Sequence, residues 1–171
     1  MRQMLESLRQ ISFFQDFTTE QLKLLQSVFE AYQCPPGVTI IREGEPAEYL
    51  YIILRGKVKV QYKPYDGSLI TLTHLKEGDV FGWSAVIGSS TYTSSIVSEE
   101  EIDAIRVRGD DLRQICLEEP ETGREVLDRL AQMVSSRWWN AREQVNSMLS
   151  EGMKKPRQQK NDSTSRRVTS A

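Results

Sequence analysis

The chain has 171 residues, 39% of them apolar and 27% charged, with a formal net charge of −2. That balance suits one globular domain with a packed core and a terminal extension, and excludes a low-complexity or fibrous chain. No apolar run approaches the roughly 18 residues a membrane span needs, and Met1–Gln10 lacks a continuous hydrophobic signal region, so the chain is read as cytoplasmic.

In chain order, Met1 to Arg9 reads as a short helix with Met4, Leu5 and Leu8 on one face. Phe13, Phe14 and Phe17 form an aromatic elbow. Thr18 and Gln21 have the spacing of a capping box, which predicts a helix from there to about Phe29. Pro35-Pro36-Gly37 ends helical character, and short strands separated by turns follow as far as Arg108. Strands are expected over Val38–Arg42, Tyr49–Leu54, Lys57–Tyr62, Leu69–Thr73, Tyr92–Val97 and Ile102–Val107. Asp66-Gly67 predicts a hairpin, and Glu99-Glu100-Glu101 reads as another hairpin turn. Asp110 and Asp111 open a helix to about Leu117. Pro120 then suits the first turn of a last helix that runs to about Leu149. The regular succession of short strands argues for a β-sandwich or barrel.

Charge divides the chain. Residues 152–171 carry Lys154, Lys155, Arg157, Lys160, Arg166 and Arg167 against Asp162 alone, a net charge of +5 beside a body of net charge −7. This segment is read as a disordered basic tail. Cys34 and Cys116 are too few and too far apart for a disulfide framework, and His74 alone gives no Cys/His metal site. No nucleophile–base motif or Gly-rich phosphate loop is present, so the chain is not read as an enzyme.

The stretch Pro36-Gly37, Arg42-Glu43-Gly44-Glu45, Leu50 to Val58 and Gly78-Asp79-Val80-Phe81-Gly82 resembles the cyclic-nucleotide-binding domain of catabolite-activator-type regulators, cyclic-nucleotide-dependent kinases and gated channels. The likeness covers about residues 12–150. It implies an α+β, mainly β fold: a double-stranded β-helix (jelly-roll) barrel with N-terminal helices and a long C-terminal helix. The corresponding domains are N-terminal helices over 1–30, the barrel over 31–108, a hinge helix and the long helix over 109–151, and the tail over 152–171.

The resemblance also locates a phosphate-binding cassette after Phe81-Gly82. In the family a Glu follows that pair and accepts from the ribose hydroxyl. An Arg ten positions later neutralises the cyclic phosphate. Here those positions hold Trp83 and Thr93. The candidate ligand-binding residues are Phe81, Gly82, Trp83, Ser84, Ala85, Thr93 and Ser94, and no basic residue lies between Gly82 and Arg106. Losing two charge-assisted hydrogen bonds of about 1.5–3 kcal/mol each implies a weakening of roughly a hundredfold or more. Trp83 reads either as a stacking plate for an aromatic ligand or as a plug filling an empty pocket. The hydroxyls of Ser84, Ser89, Ser90, Thr91, Thr93, Ser94 and Ser95 read either as partners for a polar, less charged ligand or as an ordinary Ser/Thr-rich loop and strand. The helix start near Ser84 still favours an anion weakly.

In the last helix, Leu127, Ala131, Val134, Trp138, Ala141, Val145 and Met148 recur at alternating spacings of four and three, a heptad seam that predicts a homodimer. Val126, Leu130 and Met133 form a second stripe directed at the barrel. About twenty residues follow Glu151, too few for a helix-turn-helix module, so sequence-specific DNA binding by this chain alone is not expected. The leading expectation is a non-enzymatic ligand-sensing module that does not take cyclic AMP in the usual way, with no certain cofactor and an unidentified protein partner. Two alternatives stay open: a genuine cyclic AMP or cyclic GMP binder with an altered pocket, and a ligand-free structural dimer.

Overall fold

A computed structural model describes residues 8–134. The expected helix over residues 1–9 falls outside them apart from its last two positions, and the seam beyond Val134 and the basic tail lie outside them entirely.

After helical residues 8–10, a 3-10 turn, Ser12–Phe14, places Phe13 and Phe14 in the core. The first helix, α1, spans Thr19–Gln26. Its capping box forms as the sequence implies: Gln21 N donates to Thr18 Oγ1 at 3.2 Å and Thr18 N donates to Gln21 Oε1 at 2.8 Å. Eight strands follow: β1 Phe29–Cys34, β2 Thr39–Ile41, β3 Tyr49–Arg55, β4 Val58–Tyr62, β5 Ile70–Leu75, β6 Val80–Phe81, β7 Ser95–Ser98 and β8 Ile102–Arg108. A one-turn helix, α2 (Ser84–Ile87), lies between β6 and β7. Helix α3, Gly109–Glu118, follows β8, and α4 begins at residue 120 and reaches the end of the described region.

The strands form two four-stranded antiparallel sheets, in the orders β1-β8-β3-β6 and β2-β7-β4-β5. This is the jelly-roll sandwich with helices that the sequence implied. Alternation along the strands assigns each face. Leu50, Ile52, Ile105 and Val107 point from the first sheet into a cluster with Phe13, Phe14, Phe17, Leu22, Leu25, Leu112, Ile115, Val126 and Leu130. Tyr51, Ile53, Ile102 and Ala104 point the other way, into the barrel interior with Ile41, Val58, Leu75, Phe81, Tyr92 and Ile96. Fully burying each such aliphatic or aromatic side chain contributes about 1.5–3 kcal/mol.

Three expectations need correction. The helix ends at Gln26, and Phe29–Cys34 is a strand paired along its length with β8. The β-branched and aromatic residues Val28, Phe29 and Tyr32 favour extended backbone, and sheet pairing outweighs the helical reading there. Glu99-Glu100-Glu101 is a corner rather than a hairpin turn: β7 pairs with β2 and β4 whereas β8 pairs with β1 and β3, so the chain crosses between sheets. Strand β7 begins at Ser95 instead of Tyr92, because Thr91 pairs with Pro46 and the Tyr92 side chain turns inward.

The long helix is tied to the N-terminal elbow by one side chain. Arg129 donates from Nη1 to Phe13 O at 2.7 Å, pairs with Glu125 at 2.9 Å and sits 4.4 Å over the Phe17 ring. Among the described residues, no helix is long and apolar enough to cross a membrane.

Candidate functional site

The segment from Phe81 to Ser94 builds the site. Phe81 is buried in the barrel interior, its ring stacked on Tyr51 with centroids 4.7 Å apart and planes 8° from parallel. Gly82 follows with φ +77°, a backbone conformation that favours glycine. A Cβ there would also fall 2.5 Å from Tyr49 O, so the cassette enters hard against the backbone of β3.

Helix α2 is then fixed from outside the barrel. The Ala85 carbonyl accepts from Arg113 Nη1 at 2.6 Å, and Gly109 packs on the same carbonyl so closely that any Cβ would overlap it. Arg113 is itself paired with Asp110. The cassette and the start of α3 therefore form one hydrogen-bonded unit.

Of the seven residues singled out from the sequence, Gly82, Trp83, Ser84, Thr93 and Ser94 converge on a cavity closed by Ile41, Tyr92 and Ile96. Phe81 is in the interior core and Ala85 is buried beneath Gly109; neither lines the cavity. The cavity measures about 30 Å³, room for little more than a water molecule. The Ser84 side chain is buried against it.

Trp83 lines this cavity and also extends away from it. Its indole packs with the helical cluster rather than the interior cluster. There it forms a wall of an apolar groove of about 300 Å³ with Val86, Ile87, Leu127, Leu130, Ala131 and Val134. The residue in the ribose-acceptor position thus faces α4 across this groove and also borders the small cavity. Tyr92 closes the interior instead. Its hydroxyl donates to Tyr49 O at 2.8 Å and accepts from Tyr49 N at 2.9 Å, clasping the start of β3.

The residue sequence reasoning missed is Arg106. It lies beyond the cassette in sequence, but it follows Ile102 and Ala104 by two-residue steps and so shares their inward face. Its guanidinium lies 4.3 Å over the Tyr49 ring and 5.4 Å over Tyr32, and Nε donates to Glu30 at 3.1 Å. Period-two alternation along β8 was the signal that could have found it. Burial, with Cys34 adding, pushes the Tyr32 hydroxyl up to about 12. Burial likewise raises Tyr51 and Tyr92, so all three phenols are neutral hydrogen-bonding groups at physiological pH.

A family model described as the cyclic nucleotide-binding domain matches residues 32–119. The chain belongs to the cyclic nucleotide-binding domain family. It is 32% identical over 126 residues to the CRP-like cAMP-activated global transcriptional regulator of Mycobacterium tuberculosis, a match covering 74% of this chain and 56% of that protein. It is 29% identical over 123 residues to the cGMP-dependent protein kinase of Toxoplasma gondii, covering 72% of this chain and 10% of the kinase. The chain therefore spans about half the length, or less, of these curated relatives. Among solved structures, it resembles a cyclic nucleotide-binding domain from Methylobacillus flagellatus with a TM-score of 0.75 and 26% identity, over 86% of this chain and 83% of that one. A putative cyclic nucleotide-binding protein from Geobacter metallireducens matches with a TM-score of 0.69 and 28% identity, over 78% and 96%.

The cassette cavity of this family member is small and lined by hydroxyls and apolar groups. No cation lines the cavity, whose volume is about 30 Å³, far below the roughly 300 Å³ at which small-molecule pockets begin. An anion placed there would lose its hydration without a countercharge.

Proposed function

We propose that the chain is a cytoplasmic, non-enzymatic regulatory module of the cyclic nucleotide-binding family whose cassette does not hold cyclic AMP in the usual way. One observation carries the reading. Trp83 and Thr93 stand where the family has Glu and Arg, around a cavity of about 30 Å³ that offers hydroxyls and no cation. Two features support a route for a signal: Arg113 and Gly109 join the cassette to α3, and Trp83 shares an apolar groove with α4. Any effector must differ in affinity between two positions of α4 in order to act. Titration calorimetry with cyclic AMP and cyclic GMP tests the reading. No saturable heat is expected at micromolar nucleotide, and micromolar binding abolished by Ser84→Trp would overturn it.

A specific surface favours self-association as the output. Leu127 is 44% exposed and Ile87 62% exposed, and both border the apolar groove beside α4. Leu127 and Val134 open the seam that Trp138 and Val145 continue in sequence, beyond the described residues. The reading is a parallel homodimer through this seam. Sedimentation equilibrium is expected to give a dimer, reduced to monomer by Leu127→Glu with Val134→Glu. A wild-type monomer at every micromolar concentration would remove the dimer from the proposal.

A further inference from the structure

The barrel has a second recess that shares Ile41 and Tyr92 with the cassette cavity, so those two side chains form the wall between them. It encloses about 390 Å³, enough for a single-ring ligand. Tyr49, Tyr51 and Tyr92 supply aromatic walls, Arg106 supplies a cation, and Glu45 and Glu48 stand at the side.

The cation is held in place for recognition. Stacking on Tyr49 and Tyr32 fixes the plane of the Arg106 guanidinium, and Glu30 takes its Nε. The Tyr51 hydroxyl also accepts from the guanidinium, and the N–H groups not used by Glu30 and Tyr51 are the donors left for a ligand. Such an edge fits a carboxylate or a single acidic oxygen pair. Glu45 pairs with Arg42 at 3.7 Å, whereas the exposed Glu48 carboxylate acts at longer range on Arg108 and on the Tyr92 hydroxyl. Glu30 already neutralises part of the Arg106 charge, which disfavours a dianion, and the Glu45 and Glu48 carboxylates lining the recess favour a ligand with one negative charge and an N–H or O–H donor elsewhere.

We propose that this recess binds a small planar aromatic monoanion with a hydrogen-bond donor at its far end. The acid group meets Arg106, the ring lies among Tyr49, Tyr51 and Tyr92, and the donor reaches Glu48. The inference rests on the reading above, that the barrel senses something the cassette does not grip. It also supplies a route for the signal. Tyr92 clasps both backbone polar atoms of Tyr49, and Tyr49 O is the atom against which Gly82 packs. An occupant that displaces Tyr92 therefore loosens the entry to the cassette and the strand position of Thr93, which follows it in the chain.

The test is a titration of the full chain with para-aminobenzoate, followed by backbone amide NMR, with aniline, inorganic phosphate and cyclic AMP as parallel arms. Saturable shifts are expected at Tyr49, Tyr51, Tyr92 and Arg106. Arg106→Gln should weaken binding about tenfold to a hundredfold, with Arg106→Lys in between. Glu48 is exposed, so Glu48→Ala keeps the fold and should weaken binding several-fold to about tenfold. Aniline, which lacks the anion, should bind as poorly as para-aminobenzoate binds to Arg106→Gln. The proposal is overturned by a folded wild-type chain that shows no saturable shift at roughly 10 mM, by wild-type affinity retained in Arg106→Gln or in Glu48→Ala, or by phosphate binding as well as para-aminobenzoate. Micromolar cyclic AMP binding with shifts at Ser84 and Thr93 would instead overturn the cassette reading, so the two failures are separable.

Discussion

Phe81→Ala is expected to remove about 3–5 kcal/mol of folding stability. The side chain is 2% exposed and stacked on Tyr51, and it belongs to the interior cluster that holds the two sheets together. Truncation deletes most of a buried ring and leaves a hole beside Tyr51, Tyr92 and Ile41, which are pinned by strand pairing and by the Tyr92–Tyr49 clasp and so cannot collapse into it. Against a total of about 5–15 kcal/mol for a domain of this kind, that is a large share. Chemical denaturation should show a lowered midpoint at unchanged slope, and thermal unfolding a fall in Tm on the order of 10 °C. A loss under about 1 kcal/mol would mean that the barrel interior relaxes around Phe81, and that the small cavity beside it is not rigidly closed.

The same residue shows which parts of the molecule were legible in the sequence. Strand alternation, the Thr18–Gln21 capping box and the glycine at position 82 each have a local physical cause, and each appears where the sequence implied. The misplaced elements are those decided by distant partners. Phe29–Cys34 looks like the tail of a helix until β8 is available to pair with it, and the Glu99–Glu101 corner looks like a hairpin until β7 and β8 are assigned to different sheets. In the site, motif register located five of the eight residues that line the cassette cavity. It could not show that Trp83 faces α4, since either side of a one-turn helix entry satisfies the same pattern. Nor could it show that Tyr92 and Arg106, eleven and twenty-five positions beyond Phe81, share a recess, because that depends on the crossing of two sheets. Arg106 lies outside the cassette motif, and only parity along β8 turns it inward.

The second large effect follows from the substituted grip. Trp83→Glu combined with Thr93→Arg should confer cyclic AMP binding, tighter than in the parent chain by at least about a hundredfold. Thr93 lines the cavity, so an Arg there brings a guanidinium to the place where the family neutralises the cyclic phosphate. Trp83 borders the same cavity at the entry to α2, and a carboxylate there regains the acceptor for the ribose hydroxyl. Each charge-assisted hydrogen bond supplies about 1.5–3 kcal/mol, and the pair acts on one ligand, so the double variant should exceed either single change. Thr93→Arg alone should give the larger single gain, because a desolvated anion needs its countercharge before any other contact helps. Removing the indole also frees α4, since Trp83 is packed in the cluster that holds Leu130 and Val126. The apo double variant should therefore be less stable than the parent and should recover stability on adding cyclic AMP, as ligand linkage requires. Calorimetry and thermal unfolding of the two single variants and the pair, with and without cyclic AMP, measure both effects. If the double variant folds and still does not bind, the obstruction is the Tyr92–Tyr49 clasp and not the missing charges, and adding Tyr92→Ala should then open the site.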